Sequence, residues 1–175
     1  MVSMKLRGAL ARRDNQPVGA YCPIERTLGV LSTRSAMLVM REAFYGATRF
    51  EEFASRADLT DATTSARLRE LVHAGILDRQ PYQEPRQRSR QEYVLTAAGQ
   101  DLMPAIFALL QWANRYDPPP YPPELHHDEC GEPVTIEARC ASGHEVDADH
   151  MVVTAAGPFG LDEPVTLEDW AADTR

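Results

Sequence analysis

The chain has 175 residues, 43% of them hydrophobic and 25% charged, with a formal net charge of −8; this is ordinary for a soluble globule with a real core, built as one domain with an appendage or as two small domains. No apolar run approaches the roughly 18 residues of a membrane span, the basic N-terminus lacks the apolar segment of a secretory signal, and three widely spaced cysteines make no secreted disulfide framework, so a cytoplasmic protein is expected. Residues 1–19 carry a net +3, residues 20–117 are neutral and residues 118–175 carry −11. The acidity therefore belongs to the tail, and the middle is not repelled from polyanions.

In chain order, the basic arm 1–19 is followed by "CPIERTLGVL", where Pro23 sits just inside a short helix and its missing N–H costs nothing. "STRSAMLVMREAFYG" reads as a second helix, capped by Ser32 or Thr33 and stopped by Gly46. "TRFEEFASRA" is a third, short one, with Phe50 and Phe53 three apart. "LTDATTSARLRELVHAG" is the best defined. Thr60 or Asp61 caps it, Leu68, Leu71 and Val72 form its apolar stripe, and Gly75 ends it. "ILDRQPY" and "RQEYVL" alternate like two strands of a hairpin. Thr96 then caps a long helix through Tyr116, in which Pro104 predicts a kink or a restart. "YDPPPYPPEL" has five prolines in ten residues and reads as a stiff linker.

Between the two strands, "EPRQRSRQEY" puts Arg86, Arg88 and Arg90 at every second position. In an extended chain such alternation places all three on one side, about 6.6 Å apart. Taken alone, the run fits a solvated hairpin tip. After three helices it fits something more specific. Helix, helix, helix and a hairpin with a basic tip is the order of a winged helix-turn-helix, in which the capped helix enters the DNA major groove and the wing reaches the flanking phosphates. The expected fold class is α+β: a mainly helical winged helix-turn-helix domain over 20–117, then a proline-rich linker and a small acidic extension with a β-hairpin over 118–175.

Residues 22–116 resemble the HxlR family of bacterial winged-helix transcription regulators, relatives of the MarR group. The resemblance is carried by "CPIERTLGVL", "REAFYGATRFEEF", "ARLRELVHAGIL", "RQEYVLTAAGQDLMPAI" and "LQWANRY", in order and at the right spacing. It implies a homodimer, paired through the first and last helices, on a two-fold symmetric operator. It also implies that the cysteine before the first helix, here Cys22, senses oxidants or electrophiles in some members. Where the family usually has Lys-Trp at the start of the second helix this chain has Arg34-Ser35, and where it has Pro-Lys in the recognition helix this chain has Asp61-Ala62. Operator preference therefore does not carry over.

With Leu68 at the centre of the buried stripe and about 100° per residue, Thr64, Leu71, Val72 and Gly75 fall inward. Ala62, Thr63, Ala66, Arg67, Arg69 and Glu70 fall outward or on the flanks. Thr63 can bond a base edge, Ala66 can meet a thymine methyl, and Arg67 and Arg69 can reach guanine or phosphate. For Arg69, a solvated pairing with Glu70 or Asp78 fits equally well; Arg67, matching the family's arginine, is assigned to DNA or to positioning the helix. A thiol at a helix N-terminus, as at Cys22, is a sensor by chemistry or a buried structural cysteine. Leu102, Ile106, Leu109 and Leu110 form the stripe expected to pair two copies.

In the tail, His127 and Cys130 are three apart, and Cys140 and His144 four apart. Two such pairs have the donor types of a tetrahedral zinc site, although the spacing is no standard finger. The alternation in "VTIEARC" instead makes Cys140 a core residue of a hairpin. No phosphate-cradling loop, nucleophile elbow or HExxH pair is present, so no enzyme and no required cofactor are expected. The expected partners are double-stranded DNA, a second copy and a small-molecule or oxidant effector, with no membrane. The competing readings are a winged helix used as a protein-interaction module and, behind it, a small metalloenzyme built on the tail.

Overall fold

A computed structural model describes residues 4–12, 15, 17–19, 22–83 and 89–155. The chain divides into two compact units, one made of residues 29–136 and the other of residues 1–28 with 137–175.

The elements that carry most of the first unit are α1 (Pro23–Leu31, shared with the second), α2 (Arg34–Phe44), α3 (Phe50–Arg56), α4 (Asp61–His73), β1 (Leu77–Tyr82), β2 (Arg90–Leu95), α5 (Ala97–Gln100) and α6 (Met103–Tyr116). α2, α3, α4 and α5 start where a side chain satisfies one or more of the first N–H groups. The Thr33 Oγ1 accepts from the Ala36 N–H at 3.1 Å, and the Thr60 Oγ1 from the Thr63 N–H at 3.3 Å. At α3 the Glu52 carboxylate reaches back to the N–H groups of Thr48 (2.9 Å) and Arg49 (3.1 Å). These two bonds hold its pKa below the usual glutamate value, with the nearby arginines Arg56 and Arg49 adding to the effect.

The ends of α2, α3 and α4 follow one pattern. After α4 the Gly75 N–H bonds the Val72 carbonyl (3.0 Å) and the Ile76 N–H bonds that of Leu71 (2.9 Å), a Schellman motif that needs a left-handed residue, here Gly75 at φ 69°. α2 ends in the same way at Gly46, and α3 does so at Asp58, which takes φ 50° without being glycine. Pro104 marks a restart rather than a kink: α5 stops at Gln100 and α6 begins at Met103.

Leu31, Val39, Met40, Ala47, Phe53, Leu68, Leu71, Leu77 and Ile106 form the buried core. Phe53 meets the Tyr93 ring edge-on at 6.2 Å, and Phe44 meets Phe107 at 5.6 Å. β1 and β2 pair antiparallel, from Leu77 opposite Leu95 out to Tyr82 opposite Arg90. The junction below them is held by Thr96. Its hydroxyl donates to the Gly75 carbonyl (2.6 Å), lies 3.1 Å from that of Ile76, and accepts from the Gly99 N–H at 3.0 Å.

The expected boundaries at 19/20 and 117/118 differ from these units. Residues 118–136 are fastened to α6. The Gln111 amide donates to the Val134 carbonyl (2.5 Å) and accepts from the Ile136 N–H (2.9 Å), while Asn114 donates to the Pro123 carbonyl (2.6 Å).

In the second unit, Lys5–Gly8, expected as part of a basic arm, forms β3, which pairs in parallel with β4 (Val152–Ala155) in register Lys5 to Val152. A hairpin turn also closes there, with the Cys140 N–H on the His144 carbonyl (3.0 Å) and the Val146 N–H on that of Ala138 (2.9 Å). The hairpin agrees with expectation; the placing of Cys140 in a core does not, because Cys140 and Ala138 are exposed. Alternation sorts side chains by face but supplies nothing for that face to pack against.

Candidate nucleic-acid interface

α4 is presented by the helices beneath it. Thr64, Leu68 and Leu71 are completely buried along its inner side, and the Thr64 hydroxyl returns to the Thr60 carbonyl at 3.0 Å, which lets a polar side chain sit in the core. One step round the helix, Thr63 and Ala66 are half-buried and Arg69 is exposed. Their spacing of three aligns them along one flank. Thr63 shares a hydroxyl contact with the capping Thr60 (3.0 Å), and the Arg69 Nε donates to the Ser65 carbonyl of its own helix (3.2 Å), leaving the rest of its guanidinium to solvent.

Arg67 is different. Its side chain is only 22% exposed, and its Nη1 lies 2.6 Å from the Glu70 carboxylate and 3.5 Å from the Thr33 Oγ1 at the start of α2. Its Nε is enclosed without a hydrogen-bond partner among the described residues. Thr33 was legible in the sequence as a cap; nothing in the pattern marked it as the neighbour of an arginine 34 residues later.

In the wing, Arg90 stands at the outer end of β2, 57% exposed and 3.9 Å from the exposed Glu51 carboxylate, a surface pair that contributes little in water. Arg86 and Arg88 lie outside the described residues. The outer end of the paired strands is steadied by Arg49, whose guanidinium lies 5.0 Å from the centre of the Tyr82 ring.

The expected pairing stripe is divided by the fold. Ile106 is buried in the protomer's own core, and Leu102 is half-buried and packs against it. Leu109 is 56% exposed, Trp112 61% and Tyr116 63%, and this row is the outer apolar face of α6. Leu110 lines a cleft of about 500 Å³ with Met37, Leu38, Arg41, Tyr45 and Phe107. Arg41 there is tied to the buried Glu42.

Cys22 is half-buried immediately before α1, and its carbonyl accepts the Arg26 N–H at 3.1 Å. In the tail, the His127 Nδ1 is 3.1 Å from the Cys130 sulfur, and the Cys140 sulfur is 3.6 Å from the His144 Nδ1. The first pair lies in residues 29–136 and the second in the other unit, and both cysteines are exposed. Among the described residues, three candidate metal donors gather within 4.8 Å of one another at Asp147, Asp149 and His150, an exposed acidic group. No helix among the described residues is long and apolar enough to cross a membrane.

Residues 30–121 match the family model described as HxlR-like helix-turn-helix. The chain belongs to the HxlR family. It is 39% identical over 131 residues to the HTH-type transcriptional regulator Rv3095 of Mycobacterium tuberculosis H37Rv, an alignment covering 73% of this chain and 82% of that one. Over 92 residues it is 34% identical to the HTH-type regulator sll1512 of Synechocystis, covering 52% and 67%. Among solved structures it is similar to PA1607, described as a transcription factor, with a TM-score of 0.69, 35% identity, and coverage of 77% of this chain and 95% of the other. A transcription factor of Pseudomonas aeruginosa, PA1374, follows with a TM-score of 0.56 at 35% identity, covering 81% and 96%. This HxlR regulator is therefore a winged helix-turn-helix transcription regulator.

Proposed function

We propose that this HxlR regulator acts in the cytoplasm as a homodimer on a pseudo-palindromic operator in duplex DNA. Thr63, Ala66 and Arg69 meet base edges or adjacent phosphates, and Arg86, Arg88 and Arg90 meet the flanking backbone. The observation that carries the reading is the two-sidedness of α4: one side is locked in the core by Thr64, Leu68 and Leu71, and the flank holding Thr63, Ala66 and Arg69 points away from it. Dimerisation is supported by Leu109, Trp112 and Tyr116, an exposed apolar row that a second copy would remove from water. No catalytic role, metal or cofactor belongs to this reading.

Selection from random duplexes tests it. The expected product is a two-fold symmetric motif with half-sites about one DNA turn, roughly 34 Å, apart. If no motif is enriched and duplex binding does not respond to salt, the winged helix is a protein-interaction module instead.

Changing Arg86, Arg88 and Arg90 together to alanine should weaken binding to operator and random duplex alike. Each lost phosphate contact should reduce the slope of log affinity against log salt by about 0.9. A triple variant with the wild-type slope would remove the wing from the interface.

An effector response is assigned to Cys22, at the N-terminus of α1. A mild electrophile should weaken operator binding by the wild type and leave Cys22→Ser unaffected. Equal loss in both would transfer the response to Cys130 or Cys140.

A further inference from the structure

We propose that Arg67 is a positioning residue, which sets the angle of the recognition helix on α2 rather than touching DNA; this rests on the operator-binding reading above. The two arginines of α4 are in opposite situations. Arg69 is exposed and, among the described residues, bonded only to a carbonyl of its own helix. Arg67 is drawn in between α4 and the first turn of α2, with one nitrogen between Glu70 and Thr33 and another enclosed without a partner. Its charge is met within the protein. A guanidinium that must reach DNA has no use for that burial, and a buried N–H without a partner is costly wherever geometry does not require it.

The fork is suited to this place. Guanidinium presents its donors in one rigid plane, so a single side chain can address a carboxylate on α4 and the capping hydroxyl of α2 from a fixed position. Thr33 is itself held, since its hydroxyl accepts the Ala36 N–H and lies 3.3 Å from that of Ser35. The far end of the contact is therefore anchored to the start of α2. Arg67 follows Asp61 by six residues, about 9 Å along the axis. A 10° tilt about that point, roughly the looseness that a site of this kind tolerates, would move the DNA-facing end of α4 by about 1.5 Å. That is more than the spread of a good hydrogen-bond length.

The test uses the full-length protein with Arg67→Ala and Arg67→Lys, each checked for wild-type circular dichroism. Operator affinity should fall about ten-fold or more in both, because lysine's flexible, strongly hydrated ammonium lacks the rigid plane that holds Nη1 between Glu70 and Thr33. Random-duplex affinity should stay within about two-fold and both salt slopes should be unchanged. Spin labels at Arg34→Cys and Arg69→Cys, in a background without the three native cysteines, should show a broader α2–α4 distance distribution in the variants, with no DNA present. Uniform loss on both duplexes, with a slope lower by about 0.9, would make Arg67 a phosphate contact and overturn the proposal. Loss of preference at one base position alone would make it a base reader, and unchanged affinity and label distances would make it a surface ion pair. If the wild type selects no sequence, the operator reading fails, while the label distances still decide the role of Arg67. If Arg67→Ala does not fold, Arg67→Lys carries the same measurements.

Discussion

Gly99→Ala should unfold this protein at a much lower temperature than the wild type. A Cβ on Gly99 would stand 2.2 Å from the Ile76 carbonyl oxygen and 3.0 Å from the Leu95 side chain. The nearer obstacle is backbone, so no rotamer relieves it. Either α5 lifts away or the start of β1 moves. Both routes strain the contacts through which Thr96 joins the end of α4 to the start of α5. Overpacking against backbone lies at the upper end of the usual range, about 3 kcal/mol, a fall in Tm of roughly 10 °C for a chain of this length. Ala98→Gly, at an exposed neighbouring position, should cost no more than about 1 kcal/mol. Thermal melts followed by circular dichroism compare the two. A Gly99→Ala melt within about 2 °C of wild type would mean that the junction yields more freely than its hydrogen bonds imply.

Leu109→Asp should separate the proposed dimer without unfolding the protomer. Leu109 is more than half exposed on α6 in the single chain, so a carboxylate there is solvated until a second copy covers it. Burying it unpaired costs about 3–5 kcal/mol, which raises the dissociation constant of the proposed dimer by a factor of roughly 100 to 4,000. Sedimentation should then report a monomer with native circular dichroism, bound only weakly to a half-site. Ile106→Asp is the contrasting control, because Ile106 lies in the protomer core and its replacement should unfold the chain at any concentration. A Leu109→Asp protein that stays dimeric with wild-type operator affinity would place the pairing surface elsewhere.

What was readable in the sequence was what is locally encoded. Thr33, Thr60 and Thr96 act as caps, Gly46 and Gly75 as stops, and Pro104 as a restart, because each acts on backbone groups within a few residues. The inward row Thr64, Leu68 and Leu71 follows from helical period alone. Period does not, however, tell the two outer sides of α6 apart. Ile106 and Leu109 are both apolar, and only the placing of α2 and α4 makes one core and the other surface. The parallel pairing of residues 5–8 with 152–155 had no local sign either, since a strand's partner about 147 positions away leaves no pattern in either segment. Arg67 illustrates the same point within the interface. Its place on the helix was legible, but its burial depends on Thr33, which belongs to another helix.

The Gln111 side chain has a practical consequence for anyone excising the DNA-binding part. Its amide matches two backbone groups as another strand would, one donor to Val134 and one acceptor for Ile136. Cutting after the proline-rich stretch would strip both partners from Gln111, and the Pro123 carbonyl from Asn114 if the cut came earlier. It would also leave bare the flank of α6 that residues 118–136 occupy. The shortest fragment worth expressing therefore runs through Ile136, twenty residues beyond the last turn of α6.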